Sequence, residues 1–340
     1  MKAAIVVKYG GPEVLEIREA PIPKPGPNQI LVRVRAIGLN FADIFARFGV
    51  YPGTPKAPFI PGLEFAGEVV ESGSEAHKFK GHERVMGYSR HGSHAEYVTV
   101  SESLSAAIPL SMTFQEGAAF LASYLTAYHG IVRLANILKG EKLLVHAAAG
   151  GVGLATTQLA RHLGVEIFAT AGTDEKCHLA SKQGAHHTIN YATEDFEERV
   201  RELTQGYGVD VVMDSVGGDV YRKSWQLLAQ MGRYILFGVS SVTGKGALSR
   251  LKAAGVYSFM KPIFPPNLMS ANKGILGFNL GTLVGKEGYF KSAINELLQL
   301  YELGALKPVI GKIFPFEQIV EAHRFLQTRQ SVGKVVVLVG

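Results

Sequence analysis

The residues whose types and spacing are best suited to chemistry are the small ones of His146-Ala-Ala-Ala-Gly-Gly-Val-Gly153. They follow the apolar run Lys142-Leu-Leu-Val145 and open into Leu154-Ala-Thr-Thr-Gln-Leu-Ala-Arg161, whose apolar positions have helical spacing. A short strand, a small-residue turn and a helix in that order make an anion cradle, because the first N–H groups of a helix have no intrahelical acceptor. Against the dinucleotide pattern G-x-G-x-x-G, the run reads Ala148-x-Gly150-x-x-Gly153. Ala148 excludes a need for positive φ at the first position. Gly150 lets the backbone approach a pyrophosphate, and Gly153 lets helix and strand pack closely. The N–H groups of Gly150, Gly151, Val152 and Gly153 would face the anion. A plainer reading, in which small residues merely ease a tight strand-to-helix turn, accounts for the same residues.

Positioning such a turn requires a parallel sheet, and from about residue 123 the chain has the rhythm of one. Runs 143–146, 165–170, 188–190, 209–213 and 234–237 read as strands, with helical stretches at 175–183 and 195–204 between them and a sixth strand at 274–280. This is an α/β, doubly wound Rossmann pattern. Residues 1–122 instead carry short β-type runs at 3–7, 29–36, 66–71, 84–86 and 95–100, punctuated by proline and glycine, and predict a β-rich, barrel-like domain. Residues 244–270 break the rhythm and read as an inserted excursion, with a substrate lid and a subunit contact both open. Helices near 290–303 and from about 315, then a strand at 334–339 that returns to the first domain, complete the chain.

The 340 residues suffice for about two domains; 47% are hydrophobic and 19% charged, a globular balance. The net charge of +6 comes without a basic cluster or interleaved aromatics, so no nucleic-acid partner is expected. Cys177 is the one cysteine, which excludes an intramolecular disulfide and a thiolate zinc cluster and points to a reducing, cytoplasmic setting. The first apolar run is too short for a signal sequence, and the uncharged stretch 117–132 is too short for a bilayer span.

Several stretches together resemble the medium-chain dehydrogenase/reductase superfamily in its zinc-free quinone oxidoreductase (zeta-crystallin-like) branch. They are Gly38-Leu-Asn-Phe-Ala-Asp43, Pro61-Gly-Leu-Glu-Phe-Ala-Gly67, Ala147 to Gly153, Gly172-Thr-x-x-Lys176 and Gly333-Lys-Val-Val336. Within the branch the chain looks closest to the vesicle-amine-transport-protein homologues, through Met213-Asp-Ser-Val-Gly-Gly218 and Ala271-Asn-Lys-Gly-Ile-Leu-Gly-Phe-Asn-Leu280. The resemblance implies a discontinuous catalytic domain, 1–122 with 283–340, and a dinucleotide-binding domain at 123–282. Zinc-dependent relatives place a cysteine where this chain has Asn40 and a histidine where it has Leu63. Glu64 remains, but one carboxylate without thiolate or imidazole partners makes no catalytic zinc site, so no metal is expected. His91 and His94, three apart in a Gly-Ser loop, read as a solvated surface pair; His129, His146, His186 and His187 read as ordinary half-buried residues.

In resembling enzymes the residue equivalent to Asn40 lies beside the nicotinamide, and its amide offers a donor and an acceptor; the rival reading is a turn-forming asparagine. Tyr51 either lines a substrate pocket or is an ordinary loop aromatic. Thr126 is similar to a family residue near the nicotinamide phosphate, or bonds its own helix backbone. Phe237, Gly238 and Phe278 fall at the carboxyl edge of the sheet, where the nicotinamide binds in this fold, and Phe278 also suits core packing. Tyr191 would cover the adenine or reach a phosphate. The acidic residue that accepts from a ribose 2′-hydroxyl, about 20 residues past the glycine turn in NAD-specific sheets, is replaced here by Ala171. Gly172, Thr173 and Lys176 would instead hold a 2′-phosphate, Lys176 having a solvated helix lysine as its rival reading. The expectation is an NADPH-dependent reductase acting on a quinone or α,β-unsaturated carbonyl as a homodimer, with an NADPH-binding scaffold of weak or no turnover as the alternative.

Overall fold

The computed structural model describes residues 1–242, 265–283 and 286–340, so the predicted excursion lies outside it except for 265–270. In chain order the first strands are β1 (Lys2–Val6), β2 (Leu15–Glu19), β3 (Gln29–Leu39), β4 (Glu64–Ser72), β5 (Arg84–Tyr88), β6 (Tyr97–Ser101) and β7 (Ser105–Ala107). Then come β8 (Lys142–Val145), β9 (Glu166–Ala171), β10 (His187–Asn190), β11 (Val209–Asp214), β12 (Leu228–Leu236), β13 (Gly274–Gly277), β14 (Ile310–Pro315) and β15 (Lys334–Leu338). The helices of the first 227 residues include α1 (Phe41–Arg47), α2 (Phe114–Gly117), α3 (Leu121–Tyr128), α4 (Gly151–His162), α5 (Asp174–Lys182), α6 (Phe196–Leu203) and α7 (Asp219–Leu227). No helix among the described residues is long and apolar enough to cross a membrane. The chain divides into two compact units, Met1–Leu125 with Leu280–Gly340, and Thr126–Asn279.

Thr126–Asn279 holds a six-stranded sheet in the order β10-β9-β8-β11-β12-β13, every pair parallel. Its inner strands are near-continuous aliphatic runs because helices cover both faces; β11 is buried at all six positions. α4 follows β8 and is buried from Gly153 to Ala160, a run that only a helix pressed into the interior shows. Arg161 and His162 in its last turn oppose the negative end of its dipole. The strand order is that of a doubly wound sheet.

The other unit is built on β3, whose eleven residues are long enough to take three partners. β4 pairs with one edge, while β15 takes residues 36–39 and β6 takes residues 29–33 of the other. The sheet runs β14-β15-β3-β4-β5-β7 and is mixed, since β14 and β15 are parallel. Through β15 the end of the chain supplies a strand beside β3, and Ile30, Val32, Val34, Phe65, Phe314 and Val335 share one core. β2 and β14 escape the sequence pattern because they lie largely open: β2 buries only Leu15, and β14 only Phe314. The helix expected from about residue 315 begins at Ile319, after the 3-10 turn Phe316–Gln318.

Candidate functional site

At the carboxyl end of β8 the chain turns on Ala147, a residue with φ of 51°. The left-handed conformation therefore falls one residue before Ala148, on a side chain that tolerates it only at a cost of about 1–2 kcal/mol. Sequence reasoning missed this, because alanine carries no signal for positive φ. Two backbone bonds hold the turn: Ala148 N–H to Thr170 C=O at 3.0 Å and Gly150 N–H to Ala147 C=O at 3.0 Å. A Cβ on Gly153 would lie 2.5 Å from Ala147 O and 2.6 Å from Ala148 Cα, so glycine is required there for α4 to meet the turn. At Gly150 a Cβ would meet only Ala147 O within 4 Å, at 3.3 Å, so the outer side of the turn is open. The N–H groups of Gly151, Val152 and Gly153 open α4 and have no helical acceptor.

Beside this turn, the end of β9 gathers four of the expected residues. Thr173 caps α5 by accepting from Lys176 N–H at 3.3 Å, and Lys176 stands in the first turn, its ammonium lowered from the usual range by partial burial. Tyr191 is 56% exposed, yet its hydroxyl would lie 2.7 Å from a Cβ on Gly172. Asp174 accepts from Asn190 Nδ2 at 2.8 Å, which turns that carboxylate toward β10. Ala171 is 3% exposed, so a carboxylate placed there would be buried. At the other end of the sheet, Phe237 and Phe278 stack with centroids 6.0 Å apart, and His129 packs edge-on to Phe278 at 4.7 Å. Gly238 follows directly, with a Cβ position 3.0 Å from Ser215 O. Thr126 lies on α3 and is half-buried.

Asn40 and Tyr51 belong to the unit built on β3. The registers of that strand bring three distant residues together: Gly38 pairs with Glu64 on β4, and Leu39 with Val335 on β15. Lys334 Nζ donates to Asn40 Oδ1 at 2.8 Å and to Glu64 Oε2 at 2.7 Å. Asn40 Nδ2 donates to Gly38 O at 3.1 Å and to Glu64 Oε2 at 3.3 Å. Both amide donors are thus committed within the protein, and the side chain can offer a ligand only an acceptor lone pair. Glu64 Oε1 accepts Ala122 N–H at 2.8 Å. A Cβ on Gly38 would lie 1.7 Å from Ala118 O, so that strand position admits no side chain. Tyr51 shares a hydrogen bond with Tyr88, which pairs with Glu64 across β4 and β5; burial holds the Tyr88 phenol well above its usual range.

The histidine expectations need correction. His91 is exposed, but His94 is fully buried, with neither ring nitrogen hydrogen-bonded and its Nε2 3.9 Å from Asp43 Oδ2. Burial pushes His94 down to about 3, so its ring is neutral. It packs edge-on to His323 at 5.2 Å, and Arg47 Nη1 lies 3.2 Å from His323 Nδ1. His129 and His146, read as half-buried, are 8% and 3% exposed. Asp43 accepts Asn40 N–H at 2.7 Å, and burial pushes its carboxyl up to about 7.

Two family models match the chain: "Alcohol dehydrogenase GroES-like domain" over residues 26–110 and "Zinc-binding dehydrogenase" over residues 183–337. The synaptic vesicle membrane protein VAT-1 homolog of Homo sapiens is 36% identical over 344 residues, covering 100% of this chain and 87% of that protein. Escherichia coli quinone oxidoreductase, solved as a complex with NADPH, superposes with a TM-score of 0.88 at 32% identity over 100% of both chains. The CurK enoyl reductase superposes with a TM-score of 0.85 at 31% identity, covering 99% of this chain and 98% of that one.

Proposed function

Because the chain belongs to the medium-chain dehydrogenase/reductase superfamily, close to VAT-1 homologues and quinone oxidoreductases, we propose that it is an NADPH-dependent reductase of conjugated carbonyls that works without zinc. Its substrate is a quinone or an α,β-unsaturated ketone. The observation that carries this reading is the open turn Ala147–Gly153, whose one unobstructed side at Gly150 adjoins the N-terminus of α4. The residues fit a dinucleotide: Gly151, Val152 and Gly153 offer N–H groups to the pyrophosphate, not the Gly150 N–H expected from the sequence, which Ala147 C=O holds, and Gly172, Thr173 and Lys176 offer donors to a 2′-phosphate. When bound, the nicotinamide supplies the hydride. What remains to the chain is orientation and exclusion of water. Reduced quinone oxygens take protons from solvent, so no strong side-chain acid is called for. Glu64, the one residue kept from a zinc ligand set, is already saturated by Lys334 and the Ala122 N–H.

The test is a panel. Steady oxidation of NADPH by 9,10-phenanthrenequinone, 1,4-naphthoquinone or simple enones, undiminished by a chelator, is the expected result. The VAT-1 relatives, named as vesicle membrane proteins, favour a second reading, an NADPH-binding scaffold. NADPH binding without turnover across the panel would select it.

NADPH is expected to exceed NADH by about tenfold in kcat/KM, equivalent to about 1.4 kcal/mol. Lys176→Ala should erode the preference chiefly by raising KM for NADPH, with NADH kinetics little changed. Since Ala171 is buried, Ala171→Asp is a poorer test: it adds a buried charge to any change in selectivity. Equal efficiency with both cofactors in the unmutated protein would refute the assignment of Lys176.

The chain is also proposed to form a homodimer in the cytoplasm. β13 ends the six-stranded sheet with β12 as its partner on one side, and pairing its outer edge across a two-fold axis would protect it from aggregation. Light scattering at micromolar concentration should give twice the chain mass, and a monomer would count against this assembly.

A further inference from the structure

Five buried polar side chains of Thr126–Asn279 form a file across its sheet: Thr170, His146, Ser224, Tyr234 and Asp214, none more than 3% exposed. His146 Nδ1 lies 2.9 Å from Thr170 Oγ1, and its Nε2 lies 2.7 Å from Ser224 Oγ. Ser224 neighbours Tyr234 and acts on its phenol in the sense of a hydrogen-bond donor, and Tyr234 donates to Asp214 Oδ2 at 2.6 Å. Asp214 also accepts the N–H of Val216 at 2.6 Å and of Gly217 at 3.0 Å.

The carboxylate end dictates every proton. Asp214 only accepts, so Tyr234 donates to it and in turn accepts from Ser224. Ser224, its proton committed, accepts from His146 Nε2–H, which leaves Nδ1 bare to accept from Thr170. His146 is therefore a neutral imidazole in one tautomer, and burial, opposed by the nearby Asp214, acts in the same sense by lowering its pKa. An apolar core of the same shape would be about as stable, so stability does not explain the file; what a satisfied network adds is a unique arrangement.

The file joins the carboxyl ends of four strands, where ligands bind in open α/β sheets. Thr170 is the residue whose C=O holds Ala148 N–H, and His146 directly precedes Ala147, with φ of 51°. At the far end Asp214 holds the turn containing Gly217 and Gly218, whose φ angles are 69° and 65°. The positive φ of Ala147 is strained and persists only where its surroundings over-determine it, whereas the two glycines adopt theirs freely.

We propose that His146 is a positioning residue for dinucleotide binding: its side chain locks the strained Ala147 turn and, through Ser224, Tyr234 and Asp214, sets the Gly217–Gly218 turn in step with it. Both turns are then formed before the dinucleotide arrives, which lowers the cost of binding. The inference rests on the NADPH reading above.

The test is calorimetric titration of the purified protein with NADPH, beside a KM and kcat measurement. His146→Leu and Tyr234→Phe should each weaken NADPH binding by about tenfold, with kcat at saturating NADPH little changed. The double variant should bind no more weakly than the worse single one, because both break the same file. His146→Gln, whose amide nitrogen reaches the Nε2 position, should restore most of the affinity. Unchanged affinity in Tyr234→Phe overturns the proposal even if His146→Leu does not fold, and so does simple additivity in the double variant. Unmutated protein that bound no NADPH would overturn the nucleotide reading and this inference together, whereas binding indifferent to both variants overturns the inference alone.

Discussion

Replacing Lys334 with methionine is expected to destabilise the protein by about 3–5 kcal/mol, since it strands a buried carboxylate. Glu64 is fully buried and Lys334 is 4% exposed, and their ion pair measures 2.7 Å. Without the ammonium, Glu64 keeps only the Ala122 N–H and the longer contact from Asn40 Nδ2, while Asn40 Oδ1 loses its donor. For a unit of this size the loss corresponds to a fall in Tm of about 10 °C. The double variant Glu64→Gln/Lys334→Met should recover most of it, because a neutral amide still accepts from Ala122 and no charge is left unpaired. Calorimetry on the unmutated protein, both single variants and the double decides the matter. Additive losses in the double variant would show that the two side chains are not coupled. Recovered stability with Asn40 misplaced should appear as altered kinetics in a protein of normal Tm.

Asp43 gives the other large effect, and it depends on pH. Burial raises its carboxyl from 3.8 to about 7, outweighing the Asn40 N–H and the charges of Lys334 and Arg47, which lower it, while Glu64 raises it further. Between those values the native protein holds a proton that the unfolded chain has released, so stability falls as pH rises. The contribution is fully present below 3.8 and is lost as pH passes through about 7, a difference of about 4 kcal/mol. Asp43→Asn keeps an acceptor for the Asn40 N–H but cannot ionise. Urea unfolding at pH 4, 5.5, 7 and 8.5 should therefore show the variant gaining on the unmutated protein as pH rises. A stability difference independent of pH would mean that Asp43 is ionised throughout. The neighbouring His94, neutral in the native protein at these pH values but protonated in the unfolded chain below 6.5, makes stability rise with pH over that range in both proteins alike, so it cancels in the difference between them.

What could be read directly from the amino-acid order was local. The segment 142–162 announces strand, turn and helix because the small residues must fall where the backbone turns and the helix packs. Gly153 shows why the pattern is informative, since a Cβ there collides with main-chain atoms of Ala147 and Ala148 in the turn itself. The parallel strands were legible for a related reason: runs such as Val209-Asp-Val-Val-Met-Asp214 are aliphatic enough to be covered on both faces. β2 and β14 were not, because strands left mostly to solvent lack that pattern.

The polar interior depended on registers that no short stretch encodes. Lys334 lies 270 residues from Glu64 and 294 from Asn40, and it reaches both only because β15 and β4 flank the same end of β3. Asn40 was legible as a candidate, but not the fact that both its amide donors are already committed; that follows from which carbonyl and carboxylate fold up beside it. His94 looks like a loop histidine in sequence, and it is buried because α-helical His323 and Asp43 close over it from distant parts of the chain. The file from Thr170 to Asp214 draws on β8, β9, β11, β12 and α7, so only the assembled sheet could align it. Sequence determines which backbone conformations and buried faces are cheap locally, whereas the pairing of buried charges and protons is decided by long-range packing, where an unmatched partner costs several kcal/mol.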